Sequence, residues 1–449
     1  MAYKQGKRPA EYASKSSHSQ IIKDASVQSF LENGQIPQKA QNINLSESIS
    51  LFFKPVKNNP IEHIVAIDGG YEEIAVQDDF PSSTICFFQF GALIFSVDDL
   101  EQLEEQDFID PEDMAKLKQI QRLKFTMPVK NFIYKQEPTL IHSVRKAVYD
   151  FFVQRLDDED TLIETLKWFI YQEYDEPKKT WILSNCPSCG ETKIPLNREE
   201  ISKDYLTACN HCGAPIYLTD IFRLHEVIDD QLGAGGVLGY VMTTFEQILL
   251  VHIIRLLLKL KPALIEKVLF IKDGPLAFFG QTANMHKPMR ELVNFLFENH
   301  NLFLAGLEKS GAFVEHADQI ASRLKDSTIL LIDNDYIYKY ITPGKADPAN
   351  PYGRTSYYSN KIIFKTKYGG MFVVSLPTKD VLAYPKPTDF KNLDSILTNI
   401  EKLKCDMYDN ALLPVALANK LVSLSQFPSS RILQRFVHSK VRSQADHQA

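Results

Sequence analysis

A mixed α/β fold is predicted for this 449-residue chain by three observations. Short apolar runs end in Asp-Gly: Ile64-Val65-Ala66-Ile67 precedes Asp68-Gly69-Gly70, and Val268 to Ile271 precedes Asp273-Gly274-Pro275, the pattern of buried strands closed by turn chemistry. Helix-period segments lie between them. Late in the chain, Lys361 to Thr366 and Met371 to Leu376 flank Lys367-Tyr368-Gly369-Gly370, the clearest hairpin in the sequence. Strands interleaved with helices point to a mixed sheet flanked by helices.

In chain order, residues 1–60 read as a polar peripheral arm with one short helix, Ser19 to Glu32, closed by Asn33-Gly34. The Ile64 strand follows, with Glu72 to Val76 as a returning strand. Thr84 to Val97 is a third, because β-branched and aromatic residues dominate it. Acidic Asp98 to Asp113 reads as a solvated helix and loop. Helices are expected at Leu140 to Leu156 and Thr161 to Tyr174, and residues 176–217 form an insertion of different composition. A Gly-rich hinge, Leu232 to Gly236, leads into a long helix from Met242 to Leu260, stopped by Pro262. After the Asp273 strand come a helix (Pro288 to Asn299), strands Leu302 to Gly306 and Ser327 to Ile332, the hairpin, and a helix from Pro414 to Leu424. The expected division is arm (1–60), first part of the core (61–175), insertion (176–217), second part of the core (218–436) and polar tail (437–449).

Composition narrows the function. A formal net charge of −6 gives no global basic signature, so any nucleic-acid surface is local. The N-terminus has no apolar core of signal-peptide type, and the longest apolar run, Phe245 to Leu258, is interrupted by Glu246, His252 and Arg255. A cytoplasmic protein outside the membrane is therefore expected. Four of the six cysteines fall in two close pairs, which points to metal rather than a secreted disulfide framework.

Two strands ending in Asp can set two carboxylates side by side, an arrangement that calls for a cation between them. Each Asp-Gly taken alone is also an ordinary turn. Glu246 shares the stripe of Leu249, Leu250, Ile253 and Leu257 on the long helix. It is either a buried acid in need of a partner or a first-turn acid fringing the core. Glu266, beside Lys267, reads as surface. Asp68, Asp273 and Glu246 would make a hard oxygen set suited to Mn²⁺ or Mg²⁺ and to phosphodiester cleavage. Asp333 and Asp335 read as caps or turn formers. Cys186-Pro-Ser-Cys189 and Cys209-Asn-His-Cys212 have the spacing of a tetrathiolate zinc ribbon with a closed, structural Zn²⁺.

The segments HIVAIDGGYEE, LFIKDGPLAFFG, GLEKSGAF, GRTSYYSNKIIFKTKYGGMFVVSLP and LLPVALANK, in this order, resemble the NurA family of DNA nucleases. The likeness runs from Ile61 to Phe436, apart from the cysteine insertion. It implies an RNase H-like fold, a manganese-dependent nuclease acting on DNA ends and single strands, two-fold dimers, and a HerA-like hexameric ATPase translocase as partner, in DNA end processing or defence against foreign DNA. By motif, Asp68 and Asp273 match the family's metal-binding Asp residues and Glu246 the acid of the preceding helix, although the gap from Glu246 to Asp273 is longer than the family's usual spacing. Lys309 and Arg354 match phosphate-clamp positions; the other reading of both is an exposed surface cation. Many members carry Ala-His where this chain has Ala418-Asn419; Asn419 can hydrogen-bond a phosphate but cannot shuttle a proton. His438 is the one candidate to replace that histidine, or else a surface or DNA-contacting residue. Two other readings remain: a non-catalytic zinc-ribbon scaffold that binds DNA or a partner, and an Argonaute-type guided protein, which would need a pocket for its guide.

Overall fold

A computed structural model of the chain describes residues 15–45, 48–77, 81–98, 118–156, 160–405, 411–424 and 429–448. The acidic run from Asp98 to Asp113 lies almost wholly outside them. The arm is more structured than its composition suggests. Asp24 accepts hydrogen bonds from the Ser26 and Val27 amides and so caps a second helix, splitting the expected single one into α1 (Lys15–Lys23) and α2 (Ala25–Glu32). Beyond them β1 (Ser50–Phe52) pairs antiparallel with a strand of the main sheet, and Phe53 is buried. The arm therefore supplies a sheet edge.

The first long strand, β2, runs unbroken from His63 to Gln77 and pairs with β3 (Ser83–Ser96), Asp68 opposite Gly91. This corrects the reading of Asp68-Gly69-Gly70 as a turn between two strands. Neither glycine has positive φ. Both are there for close approach: a Cβ on Gly69 would lie 2.8 Å from Glu246 Oε1, and one on Gly70 2.6 Å from the Val422 carbonyl. A third antiparallel strand, β4 (Lys118–Lys130), was not anticipated, although Leu123, Phe125, Met127 and Val129 recur at every second position as in a half-buried strand.

Helices α3 (Leu140–Phe152) and α4 (Leu162–Ile170) start at Thr139 and Thr161, each of which accepts a backbone amide, and Glu164 completes a capping box at α4. Four short strands of the insertion follow: β5 (Thr180–Asn185), β6 (Thr192–Asn197), β7 (Leu206–Ala208) and β8 (Pro215–Tyr217). Then come α5 (Leu238–Leu260), β9 (Val268–Asp273), α6 (His286–Asn299), β10 (Phe303–Glu308), α7 (Ala312–Ile320), β11 (Thr328–Leu331), β12 (Ser359–Lys365), β13 (Met371–Pro377), α8 (Leu393–Lys402), α9 (Leu413–Val422) and α10 (Ser429–Gln448). Asp333 caps the short turn after β11 by accepting from the Tyr336 amide at 2.8 Å, as its position suggested.

Among the described residues the main sheet has nine strands in the order β1-β11-β12-β13-β10-β9-β2-β3-β4. β2, β9 and β10 are mutually parallel, and β3 and β4 continue antiparallel from β2. The run β4-β3-β2-β9-β10 is the RNase H-like arrangement. One face, with Val65, Ile67, Phe88, Phe90 and Phe270, packs under α3 to α6. The other, with Ile64, Ala66, Leu269 and Ile271, packs under α8 and α9. On the first face Phe245 of α5 sits among Phe90, Phe125, Phe151, Phe152 and Phe222 at centroid separations of 5.0 to 5.8 Å. The helical stretch Gly235–Leu260 is long and apolar enough to cross a membrane, but 67% of its most apolar window is buried inside the protein, as in a core helix.

The cysteine insertion packs against the core. Leu183, Leu196 and Ile216 belong to the same apolar cluster as α3, α4 and Phe245. Arg145 of α3 forms a bidentate, buried pair with Asp220, at 2.8 Å from Nε and 2.7 Å from Nη2, and donates to the Pro215 carbonyl at 3.0 Å. Removing one member strands the other's charge in the core. Asp220→Ala is therefore expected to cost about 3–5 kcal/mol in urea unfolding, whereas an exposed, unpaired position would cost almost nothing.

Candidate active site

β2 and β9 run parallel with Ile67 opposite Lys272, which sets Asp68 and Asp273 side by side one residue further on, about one strand spacing of ~4.8 Å apart. By the two-residue alternation of a strand, both continue the face of Ala66 and Ile271, under α8 and α9. Glu246 comes from the opposite face. It lies beyond the second turn of α5 and is 2% exposed, so of its two sequence readings the buried acid with a partner is the one observed. Its carboxylate reaches the line of β2 where Gly69 has no side chain. Glu266 is exposed, as expected.

The electrostatics of the three acids differ. Asp68 is 3% exposed; its Oδ1 accepts the Gly69 amide at 2.8 Å, and its Oδ2 is buried with no hydrogen-bond partner. Burial first, then the nearby Asp273 and Glu246 charges, push the Asp68 carboxyl up to about 8. Burial also raises the Glu246 carboxyl, opposed by Lys272, whose Nζ lies 2.6 Å from Glu246 Oε2. Asp273 Oδ2 accepts from Lys309 Nζ at 2.8 Å. Two acids are thus paired with lysines, and Asp68 is left with one unsatisfied oxygen.

Neighbouring contacts fix these positions. Gly274 has φ +86 and its amide donates to the Leu307 carbonyl at 2.6 Å, so here Asp-Gly-Pro does turn the chain as read from sequence. Tyr358 donates to Gln247 Oε1 at 2.6 Å, Gln247 Nε2 to the Ala277 carbonyl at 3.3 Å, and Thr244 to Thr282 at 2.8 Å. α5 is thereby tied to the segment after Asp273. Gly69→Ala is expected to fold but to lower any cleavage at least tenfold by displacing Glu246; unchanged turnover would show that Glu246 has no part in it.

No family model and no curated protein matches the chain. In structure it is similar to NurA nucleases. The crystal structure of the NurA nuclease from Sulfolobus solfataricus aligns with a TM-score of 0.34 at 9% identity, covering 96% of this chain and 98% of that one. A crystal structure of NurA with manganese aligns with a TM-score of 0.30 at 14% identity, covering 95% and 98%.

Of the other positions drawn from the NurA motifs, Lys309 reaches the acids. Arg354 is exposed, and its Nη1 donates to the Ala349 carbonyl within its own loop. Asn419 is exposed on α9. His438 does not stand in for a NurA histidine at the acids: its Nε2 lies 3.1 Å from the carbonyl of Ala75, seven residues along β2 from Asp68 and therefore roughly 23 Å away at 3.3 Å per residue. Lys272 was missed. Its signal was legible: a lysine in the otherwise apolar strand VLFIKD, directly before a candidate acid.

The cysteines form a second site. Among the described residues, Cys186, Cys189, Cys209 and Cys212 are the group of His, Cys, Asp or Glu whose ligand atoms all lie within 4.8 Å of one another. Cys186 and Cys212 Sγ are 3.9 Å apart, as are those of Cys189 and Cys209, against about 3.8 Å for tetrahedral sulfurs at ~2.3 Å from Zn²⁺. The two knuckles fold alike: Gly190 donates to the Cys186 carbonyl at 3.0 Å and Gly213 to that of Cys209 at 2.9 Å, both glycines at positive φ. Without a cation the four thiols share their charge unevenly: the Cys212 and His211 amides hold the Cys209 thiol down to about 6, while, against the Glu191 amide, its cysteine neighbours push Cys189 up to about 12. The cluster fits zinc.

Proposed function

We propose that this chain is a metal-dependent DNA nuclease that hydrolyses phosphodiester bonds, with Asp68, Asp273 and Glu246 as the acids of its metal site. One observation carries the reading: Asp68 Oδ2 is buried, unpartnered and beside two further carboxylates. An uncompensated buried carboxylate is costly, and a bound cation is the ordinary compensation. The donors are hard oxygens, which fit Mn²⁺ or Mg²⁺. Bound there, such an ion would supply Lewis-acid chemistry at a phosphodiester. The protein's own part is positioning. The Gly69 amide holds Asp68 Oδ1 and so presents Oδ2. Lys309, its side chain 28% exposed, can exchange Asp273 for a phosphate oxygen, and Asn419 offers an amide from α9. The four cysteines hold a structural zinc.

The lysine partners of Glu246 and Asp273 favour a second reading, a scaffold of the same fold that binds DNA or a partner without cutting. Digestion of linear, circular and single-stranded DNA with Mn²⁺, alongside Asp273→Ala, separates the two. Cleavage by the native chain alone supports the nuclease; no digestion of any substrate leaves the scaffold.

We further propose that the chain works in the cytoplasm as a dimer on a HerA-like hexameric ATPase. It carries no Gly-x-x-x-x-Gly-Lys-Ser/Thr phosphate loop with which to move DNA, and its net charge of −6 gives no long-range attraction for it. A ring that feeds DNA would raise its local concentration. Mixing the chain with such an ATPase should give a complex of higher mass and ATP-stimulated digestion; a monomer cutting duplex DNA at full rate without ATP would refute this.

A further inference from the structure

Lys272 has no role in the reading above, yet it is the most confined cation in the molecule's acidic centre. It is 2% exposed on a strand whose other inner residues are apolar. Its Nζ contacts Glu246 Oε2 at 2.6 Å and donates to the carbonyl of Asp273, so it sits between the helix acid and the strand that carries the second aspartate. A divalent ion held by Glu246 Oε2 and the main-chain carbonyl of Asp273 would have to take the place of this ammonium. Lys309 differs: it is part-exposed and free to leave Asp273.

We propose that Lys272 is a built-in cation occupying what would be a second metal position, so that each chain takes one divalent ion at the acids, on the Asp68 and Asp273 side. This rests on the metal reading proposed above. Charge balance supports a single ion. With Asp68 deprotonated to receive a cation, it stands with Glu246 and Asp273 against Lys272 and Lys309, which leaves one negative charge. When Lys309 turns to a substrate phosphate, one divalent ion with Lys272 neutralises the three carboxylates. A second ion would leave a buried centre with a net charge of about +2, without ligands to offset it. Lys272 also holds Glu246 Oε2, leaving Oε1 toward Gly69 and the line of Asp68. It is a positioning residue and is not expected to touch substrate.

The test is a count of ions rather than a rate. The full-length, zinc-loaded chain is titrated with Mn²⁺, and the free ion is followed by electron paramagnetic resonance. The native protein should bind one Mn²⁺ per chain and Lys272→Arg also one. Lys272→Met should bind two, and Lys272→Met with Glu246→Gln should return to one. The double variant buries neither charge, so it remains measurable if the single one fails to fold, and two ions bound to it would overturn the assignment. Two ions on the native chain would likewise overturn it while leaving the nuclease reading intact, and so would a single ion of unchanged affinity on folded Lys272→Met. No Mn²⁺ bound at all would sink the metal reading and this inference together.

Discussion

Asp68→Asn is expected to abolish Mn²⁺-dependent DNA cleavage, by about a thousandfold or more, and at the same time to make the metal-free protein more stable at pH 8. The two effects have one source. The amide keeps the shape of the side chain and its contact with the Gly69 amide, but removes a charge that is 3% exposed and faces Asp273 and Glu246. The sign follows from linkage. The folded-state carboxyl titrates at about 8 against 3.8 for the ordinary group. Between those values the folded protein holds a proton that the unfolded chain has released, so stability is full below about pH 4 and declines as pH rises through 8. A shift of this size is worth on the order of a few kcal/mol. In thermal scans the zinc-loaded native chain, prepared free of Mn²⁺ and scanned without chelator, should therefore lose stability from pH 5 to pH 8 and recover it when Mn²⁺ is added. Asp68→Asn should show a flatter profile, a midpoint higher at pH 8 by on the order of 5 °C, and no response to Mn²⁺. A variant that loses activity but melts lower at every pH would mean that Asp68 is a structural residue.

The second large effect is expected from zinc. Purified without chelator, the chain should carry one Zn²⁺, and Cys209→Ser or a strong chelator should remove it. Structural Zn²⁺ contributes about 10–16 kcal/mol of apparent binding free energy in small domains. Sequence alone suggested that its loss would loosen only the insertion. Packing extends the damage, because Leu183, Leu196 and Ile216 share a core with α3, α4 and Phe245, the residue before Glu246. Tyr171 also donates to the Leu196 carbonyl at 2.9 Å. Hydrogen exchange in the zinc-free protein should thus rise in α3 and α4 together with β5 to β8, and cleavage should fall through the displacement of α5. Protected amides in α3 and α4 after complete zinc loss would show that the insertion folds on its own account.

The apolar strands, the long helix and the late hairpin were legible in the sequence because each carries its own local signal. Ile64 to Ile67, Val268 to Ile271 and Met371 to Leu376 are buried runs, and α5 is apolar through most of its 23 residues. The cysteine spacing was legible for the same reason. Hidden features depended on partners distant in sequence. Asp68-Gly69-Gly70 reads as a turn until Glu246 and Val422 are known to press on the two glycines from opposite faces. β1 is three residues long, and its identity as a strand comes from its pairing with β11. The lone lysine at 272 was visible in its apolar strand, but its pairing with Glu246 on the helix packed over that face is a contact of which a one-dimensional pattern carries no record. Arg354 was placed by motif, yet its hydrogen bond lies within its own loop.

β2 and β9 are neighbours in space, but Asp68 and Asp273 are separated by the synthesis of 205 residues (273 minus 68). At about 5–20 residues per second a ribosome needs roughly 10–40 s to cover that distance. During that interval β2 can pair with β3 on one side only, and its other edge stays open until β9 emerges. Lys309 arrives later still. A nascent or prematurely terminated chain therefore has no assembled acidic centre, and whatever chemistry the three acids support becomes available only after most of the polypeptide has been translated.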